Sequence, residues 1–425
     1  MIDTTIEIAL TVFVMLMLIA QLIALRFKVP YTVVLVFIGI GVTVLSTAAL
    51  GTYPLSGILQ VSIQWIRALY GQLVGTGLFV GLVVPPLIFE AMIHIKRDEL
   101  RSVIRPALVL ATVGVLLSTA VVAVAVWKIE GISLFSSLLF AAIIAPTDTI
   151  TVLQIFKYVK VPSKLSTLMD LEAAFNDATA IVLFTVILSS SGLHSAQVLS
   201  GAEFFVYSFV GGITIGLVVA AMAKLVHSRV NDKLAGTTLT IAAVYGSYVL
   251  STSLGASGLI AVAIVGLYFG NSTTKAVTKS VKRSITSFWE MAAFVGNAVA
   301  FLLIGFDTNL SLFFQASAVI IVAYVSTLVA RVITVYPIFT AFSGMGRKLP
   351  RKWGSVATLG GVRGALSIAL LATLAYSGVV SSYALSTITA MVLGVVFISI
   401  IVQVPLLSRY AGMFFGRHSR PVDLS

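Results

Sequence analysis

The stretch APTDTITVLQIFKYVKVPSKLSTLMDLEAAFNDATAIVLF (145–184) decides the fold. Two apolar runs flank a short connection carrying Lys157, Lys160 and Lys164, and the runs hold Asp148, Glu172 and Asp177. An acid at the centre of a bilayer costs about 3 kcal/mol on insertion scales, so it needs a functional reason to be there. Arg363 sits in the equally apolar GGVRGALS (360–367). Four such groups point to an ion pathway.

The rest of the chain has the same character. Its 425 residues are 59% hydrophobic and 10% charged, with a mean hydropathy of +1.09, too little charge to coat a soluble domain. The composition predicts an all-α polytopic membrane protein. Apolar runs of about 20 residues, enough to cross ~30 Å of hydrocarbon, occur thirteen times. They lie near 5–25, 30–48, 74–93, 103–127, 133–156, 165–190, 203–227, 236–253, 256–271, 284–306, 310–341, 353–376 and 384–408.

Charge supports this count. Assigning connections alternately to two faces puts 23 of the 27 basic residues on one face, with Arg67 and Lys128 on the other and Arg331 and Arg363 inside spans. The rule that cytoplasmic loops are basic then places the N-terminus outside and the C-terminus in the cytoplasm. The first run carries Asp3 and Glu7 rather than a basic leader, so it reads as a retained span. The net charge of +12 becomes a topology signal and an attraction to anionic lipid, with no nucleic acid needed. Residues 49–73 read as an external interfacial segment with Trp65 and Tyr70 at headgroup depth, and the tail after Tyr410 is too short to fold.

Cysteine is absent, which excludes disulfide, thiol and iron–sulfur chemistry. His94, His194, His227 and His418 show no metal-ligand spacing, so a metalloenzyme is not expected.

Counting at 1.5 Å per residue puts Glu172 about 12 Å and Asp177 about 20 Å from the basic face, Asp148 about 22 Å from the other, and Arg363 about 15 Å along its span. All four share a central layer. Pro146 predicts a break or kink beside Asp148, and Gly360, Gly361 and Gly364 weaken the twelfth span around Arg363. The interruptions occupy similar places in the two halves, which predicts two inverted-topology repeats crossing at a midplane site. The division is 1–190 for the first repeat, 203–227 for a linking helix, 236–408 for the second repeat and 409–425 for a short tail.

Glu172 and Asn176 share a helix face, whereas Asp177 is turned by about 100° from Asn176, so the two acids need different partners. Arg363 is the expected counterion for Glu172, leaving Asp177 free to exchange ligands. Asp148 and Asp177, if adjacent, repel each other and form a site that holds either protons or a cation. Glu90, Glu290 and Arg331 read as groups near the basic face that snorkel or pair with one another. Asn297 divides evenly between interhelical bonding and support of the site. Two other functions remain open on these residues. An intramembrane aspartyl protease also has two aspartates but needs a Gly-rich approach to the second, where this chain has Phe175 and Asn176. A channel needs a continuous polar stripe.

The chain resembles the NhaP and sodium/proton exchanger branch of the monovalent cation/proton antiporters. The resemblance rests on VPYTVVLVFIGIGV (29–42), VVPPLIFEA (83–91), APTDTITVLQIF (145–156), LEAAFNDATAIVLF (171–184), SGLIAVAIVGL (257–267), FWEMAAFVGNAVAFLLIG (288–305) and GGVRGALSIAL (360–370). It implies a thirteen-helix homodimeric antiporter without a cofactor, whose substrates are Na⁺, Li⁺ or K⁺ and H⁺. Asp148 and Asp177 would bind the cation or protons, Thr147 would offer an oxygen, Glu172 would pair with Arg363, and Asn176 would mark the electroneutral 1:1 type. Two positions depart from the family: Ala173 replaces a usual Ser and Thr149 a usual Pro. Thr149 or Thr179 is expected to supply the missing hydroxyl.

Overall fold

The computed structural model describes residues 2–27, 29–48, 64, 65, 68, 78–189, 195–227, 232–271, 278–307, 315–344 and 349–416. These residues are mostly helical, with no β-strand among them. The helices are α1 (Ile2–Phe27), α2 (Tyr31–Ala48), α3 (Leu78–Ile93), α4 (Arg97–Glu130), α5a (Leu134–Ile144), α5b (Thr149–Tyr158) and α6 (Ser163–Ser189). They continue as α7 (Ser195–His227), α8 (Lys233–Ser253), α9 (Gly258–Asn271), α10 (Lys279–Asp307), α11 (Ser317–Gly344), α12a (Arg351–Leu359), α12b (Ala365–Ser377) and α13 (Ser382–Phe415). Among the described residues eight helices are long and apolar enough to cross a membrane: α1, α4, α6, α7, α8, α10, α11 and α13. Shorter apolar helices lie in α2, α3, α5a, α9 and α12b. Apart from residues 64, 65 and 68, the segment 49–73 lies outside the described residues, as do His194, His418 and the end of the tail.

Both expected interruptions are present. The Ser133 side chain accepts from the Ser136 backbone to open α5a, and the helix stops at Ile144 because Pro146 has no N–H for the preceding turn. Residues 145–148 are non-helical before α5b begins. The second break runs from Gly360 to Gly364, between α12a and α12b. The short gap between α8 and α9 also falls where the sequence puts it, with Gly255 turning the chain at φ 74°.

Two five-residue π-helical turns are absent from the hydropathy pattern: Leu110–Gly114 inside α4 and Ser399–Gln403 inside α13. Such a turn inserts an extra residue and re-aims the side chains around it. In α13 it points Ser399 and Gln403 at the second break.

The helices pack as two groups. In one, α2 runs along α10, α3 along α9 and α10, and α7 along α9. In the other, α4 packs on α5a, α6 and α11, while α13 packs on α11 and α12b. Contacts of α3 and α9 with α6, and of α10 with α12b, join the groups, and the site lies on that seam.

Candidate functional site: a crossing of two broken helices

The two non-helical segments meet directly. The Asp148 backbone N–H donates to the Val362 carbonyl at 2.7 Å. Gly364 permits this approach, since a Cβ there would stand 2.6 Å from the Asp148 Cβ. A broken helix leaves carbonyls without partners, and in hydrocarbon each must find a donor. Arg363 supplies one for α5a, its Nη1 donating to the carbonyls of Ala145 at 2.6 Å and Pro146 at 3.2 Å. Gln403 Nε2 supplies one for α12a by donating to the Leu359 carbonyl at 2.7 Å, and the Arg363 N–H donates to Ser399 Oγ at 3.2 Å. The π-helical turn in α13 is thus a clamp on the second break.

Glu172 is 1% exposed and is held by Arg331 of α11, not by Arg363. Arg331 Nη1 donates to Glu172 Oε1, and Nη2 donates to Oε2 at 3.2 Å and to the Ala357 carbonyl at 2.7 Å. This corrects two expectations: Arg363 is not the ion-pair partner of Glu172, and Arg331 does not snorkel to the surface. The physical reason is register. Helix α11 spans Ser317–Gly344, so Arg331 falls at its midpoint, too deep to reach water, while Arg363 is already committed to the carbonyls of α5a. The bidentate fork suits a planar carboxylate and leaves little of Glu172 for other ligands. Glu90 and Glu290 do not pair with Arg331; each faces His94, at 3.5 and 3.7 Å.

Asp148 and Asp177 line one cavity of about 60 Å³, room for a few waters. One wall is Val83, Val84, Leu87, Ile88 and Ala91 of α3 with Asn297 of α10. The other is Pro146, Thr147 and Asp148, the α6 face bearing Asp170, Ala173, Ala174 and Asp177, and Gly364 to Leu366. Asp148 Oδ2 accepts from Thr151 Oγ1, which sits 2.8 Å from Thr32 Oγ1 of α2. Asn176 Nδ2 donates to Thr147 Oγ1 at 3.2 Å, fixing the non-helical segment on α6. Asp177 Oδ1 is buried and takes no hydrogen bond.

Asp170 shares this cavity and was not singled out in the sequence. Its signal was available: it precedes Asp177 by seven residues, two helical turns, on the same face. Of the two hydroxyls expected to replace the serine missing at Ala173, Thr179 bonds back to the Phe175 carbonyl at 2.8 Å and does not line the cavity. Two residues beyond Asp177, it points to the opposite side of α6. The Thr149 side chain lies outside the described ones. Among the described residues no cluster of three or more His, Cys, Asp or Glu side chains could hold a metal ion.

Known proteins share this architecture. The chain superposes on the sodium proton antiporter MjNhaP1 of Methanocaldococcus jannaschii with a TM-score of 0.74 over 97% of this chain and all of that one, at 21% identity. In sequence it is 33% identical to the Na(+)/H(+) antiporter NhaS2 of Synechocystis over 322 residues, 72% of this chain and 60% of that protein. It is also 33% identical to the Na(+)/H(+) antiporter NhaP of Pseudomonas aeruginosa over 305 residues, 68% of this chain and 71% of that protein. The alignment with NhaS2 thus covers about three fifths of that relative's length. With the model of the transmembrane sodium/hydrogen exchanger matching residues 12–411, nearly its whole length, the chain belongs to the sodium/hydrogen exchanger family.

Proposed function

We propose that this protein is a secondary transporter that exchanges Na⁺ for H⁺ across a membrane. One observation carries the reading: Asp148 and Asp177 line the same small cavity at the crossing of two broken helices, and Asp177 keeps an oxygen without a partner. Two carboxylates in a poorly hydrated space repel each other, and either a proton or a cation relieves the repulsion. Both cannot do so fully at once, so loading one releases the other. The relatives named as Na(+)/H(+) antiporters support the choice of ions.

Each residue then has a task. Asp148 and Asp177 carry the exchanged charge, Thr147 offers an oxygen from the non-helical segment, and Asn176 fixes that segment. Glu172 with Arg331 orders the bundle. Exchange is 1:1 and electroneutral, the basic end faces the cytoplasm, and the protein works as a homodimer. Ala173 offers the cation no hydroxyl, so selectivity among Na⁺, Li⁺ and K⁺ falls to the carboxylates and water.

The test is quenching of a pH-sensitive dye in proteoliposomes given Na⁺, Li⁺ or K⁺, with the voltage clamped or free. The expected result is Na⁺-driven proton movement unaffected by voltage. Conduction of Na⁺ without proton movement would refute the exchange.

A further inference from the structure

Asp170 has no counterion among the described residues. Among the described residues it forms no ion pair with Lys or Arg, and its Oδ1 is closed to solvent and accepts no hydrogen bond. Neighbouring acids are treated otherwise: Glu172, two residues on, is clamped by Arg331, and Glu99 accepts from Thr167 Oγ1 at 2.8 Å. Asp170 instead lines the cavity of Asp148 and Asp177. Seven residues at 1.5 Å put it about 10 Å from Asp177 along α6, toward the end carrying Lys160 and Lys164. Between them the lining residues are Ala173 and Ala174, whose methyl groups leave the way open.

The facing wall fits a cation as well. Asn297 is 5% exposed, lines the same cavity and makes no hydrogen bond to any described residue. An amide carbonyl oxygen at a cavity wall is a ligand for a hard cation. From α3, Glu90 acts electrostatically on Asp170, and the file continues through His94, 3.5 Å from Glu90, to the half-exposed Glu290 at 3.7 Å from His94. Acidic groups thus lead from the surface at the basic end to the centre. Among the described residues Asp170 has no fixed cation, and a mobile one would satisfy it.

We propose that Asp170, with Asn297 opposite, is a second cation station on the access path from the basic end, holding a partly hydrated monovalent cation before it reaches Asp148 and Asp177. This rests on the exchange reading above. It assigns Asp170 to capture rather than coupling: an acid in a narrow cleft raises the local cation concentration and the on-rate, by tenfold or more in such settings.

The experiment measures Na⁺-driven proton movement in oriented proteoliposomes, with Na⁺ added on one side at a time, for wild type, Asp170→Asn, Asp170→Glu and Asp177→Asn. Asp170→Asn is expected to raise the apparent KM for Na⁺ about tenfold from the basic-end side and much less from the other, with the maximal rate retained, and Asp170→Glu to restore most of the affinity. An unchanged KM in Asp170→Asn, an equal rise from both sides, or a lost maximal rate at unchanged KM would overturn the station. If Asp170→Asn does not fold, the sidedness of KM in Asn297→Ala decides in its place, and a symmetric or absent change there overturns it equally. Asp177→Asn keeps the two readings separable: it tests coupling, and its loss of exchange at every Na⁺ concentration is independent of what Asp170 does.

Discussion

The two helix breaks look alike in the chain and do opposite work. At the first, Pro146 to Asp148 faces a cavity, and the α6 acid opposite, Asp177, keeps an oxygen unsatisfied. At the second, the polar groups are spent on structure: Arg363 on the carbonyls of Ala145 and Pro146, Gln403 on Leu359, and Arg331 on Ala357 and Glu172. A break in a buried helix frees carbonyls in either case. What separates a binding site from a scaffold is whether the acid beside it is given a cation: Arg331 takes Glu172, and among the described residues no Lys or Arg pairs with Asp177. Here α11 and α12 bring arginines to one half of the crossing, and α5 and α6 bring aspartates to the other.

Substitutions can break that division. The largest effect is expected from Asp177→Asn, which should reduce exchange to background in the dye assay while the thermal midpoint in detergent holds or rises, since an unpartnered buried charge is removed. A large loss of stability would mean Asp177 is scaffold after all. Next is Arg331→Ala, which orphans Glu172 and should destabilise by about 3–5 kcal/mol, with Glu172→Gln in the same chain recovering part of it. Rescue of Arg363→Ala, rather than Arg331→Ala, by Glu172→Gln would reverse the pairing. Gly364→Ala sets a methyl against Asp148 and should cost about 1–3 kcal/mol and slow exchange, read by thermal unfolding and initial rates. Smallest is Gln403→Ala, expected to cost about 0.6 kcal/mol in melting experiments with the apparent KM for Na⁺ unchanged. A shifted KM there would show that the scaffold half tunes the ion as well.

Composition and punctuation revealed the fold. Apolar run lengths located the helices, Pro146 and the glycines around Arg363 located both breaks, and the membrane cost of charge singled out Asp148 and Asp177. Partner choice was less legible. Depth along a helix can be counted, but the direction in which a side chain leaves the helix axis relative to its many neighbours cannot. Arg363 and Arg331 both lie at mid-depth, and only packing tells which one meets Glu172. The midpoint of the apolar run around Arg331 was a usable warning against snorkelling. Asp170 was overlooked for the converse reason: six residues from Lys164 it looks superficial, yet its two-turn spacing from Asp177 puts it in the cavity. The π-helical turns left no trace, because one extra residue inside a long apolar run alters neither its countable length nor its hydropathy. The protease and channel readings lose support, since the chain belongs to a family of exchangers.

Arg363 bonded to the carbonyls of α5a and the backbone link from Asp148 to Val362 fasten four half-helices into a single block. Asp148 belongs to that block and α6, which carries Asp177, is tied to it by Asn176 donating to Thr147, while α3 and α10 form the wall it faces. If the block slides along that wall, the cargo need not let go of its oxygens: the scenery changes and the passenger stays seated.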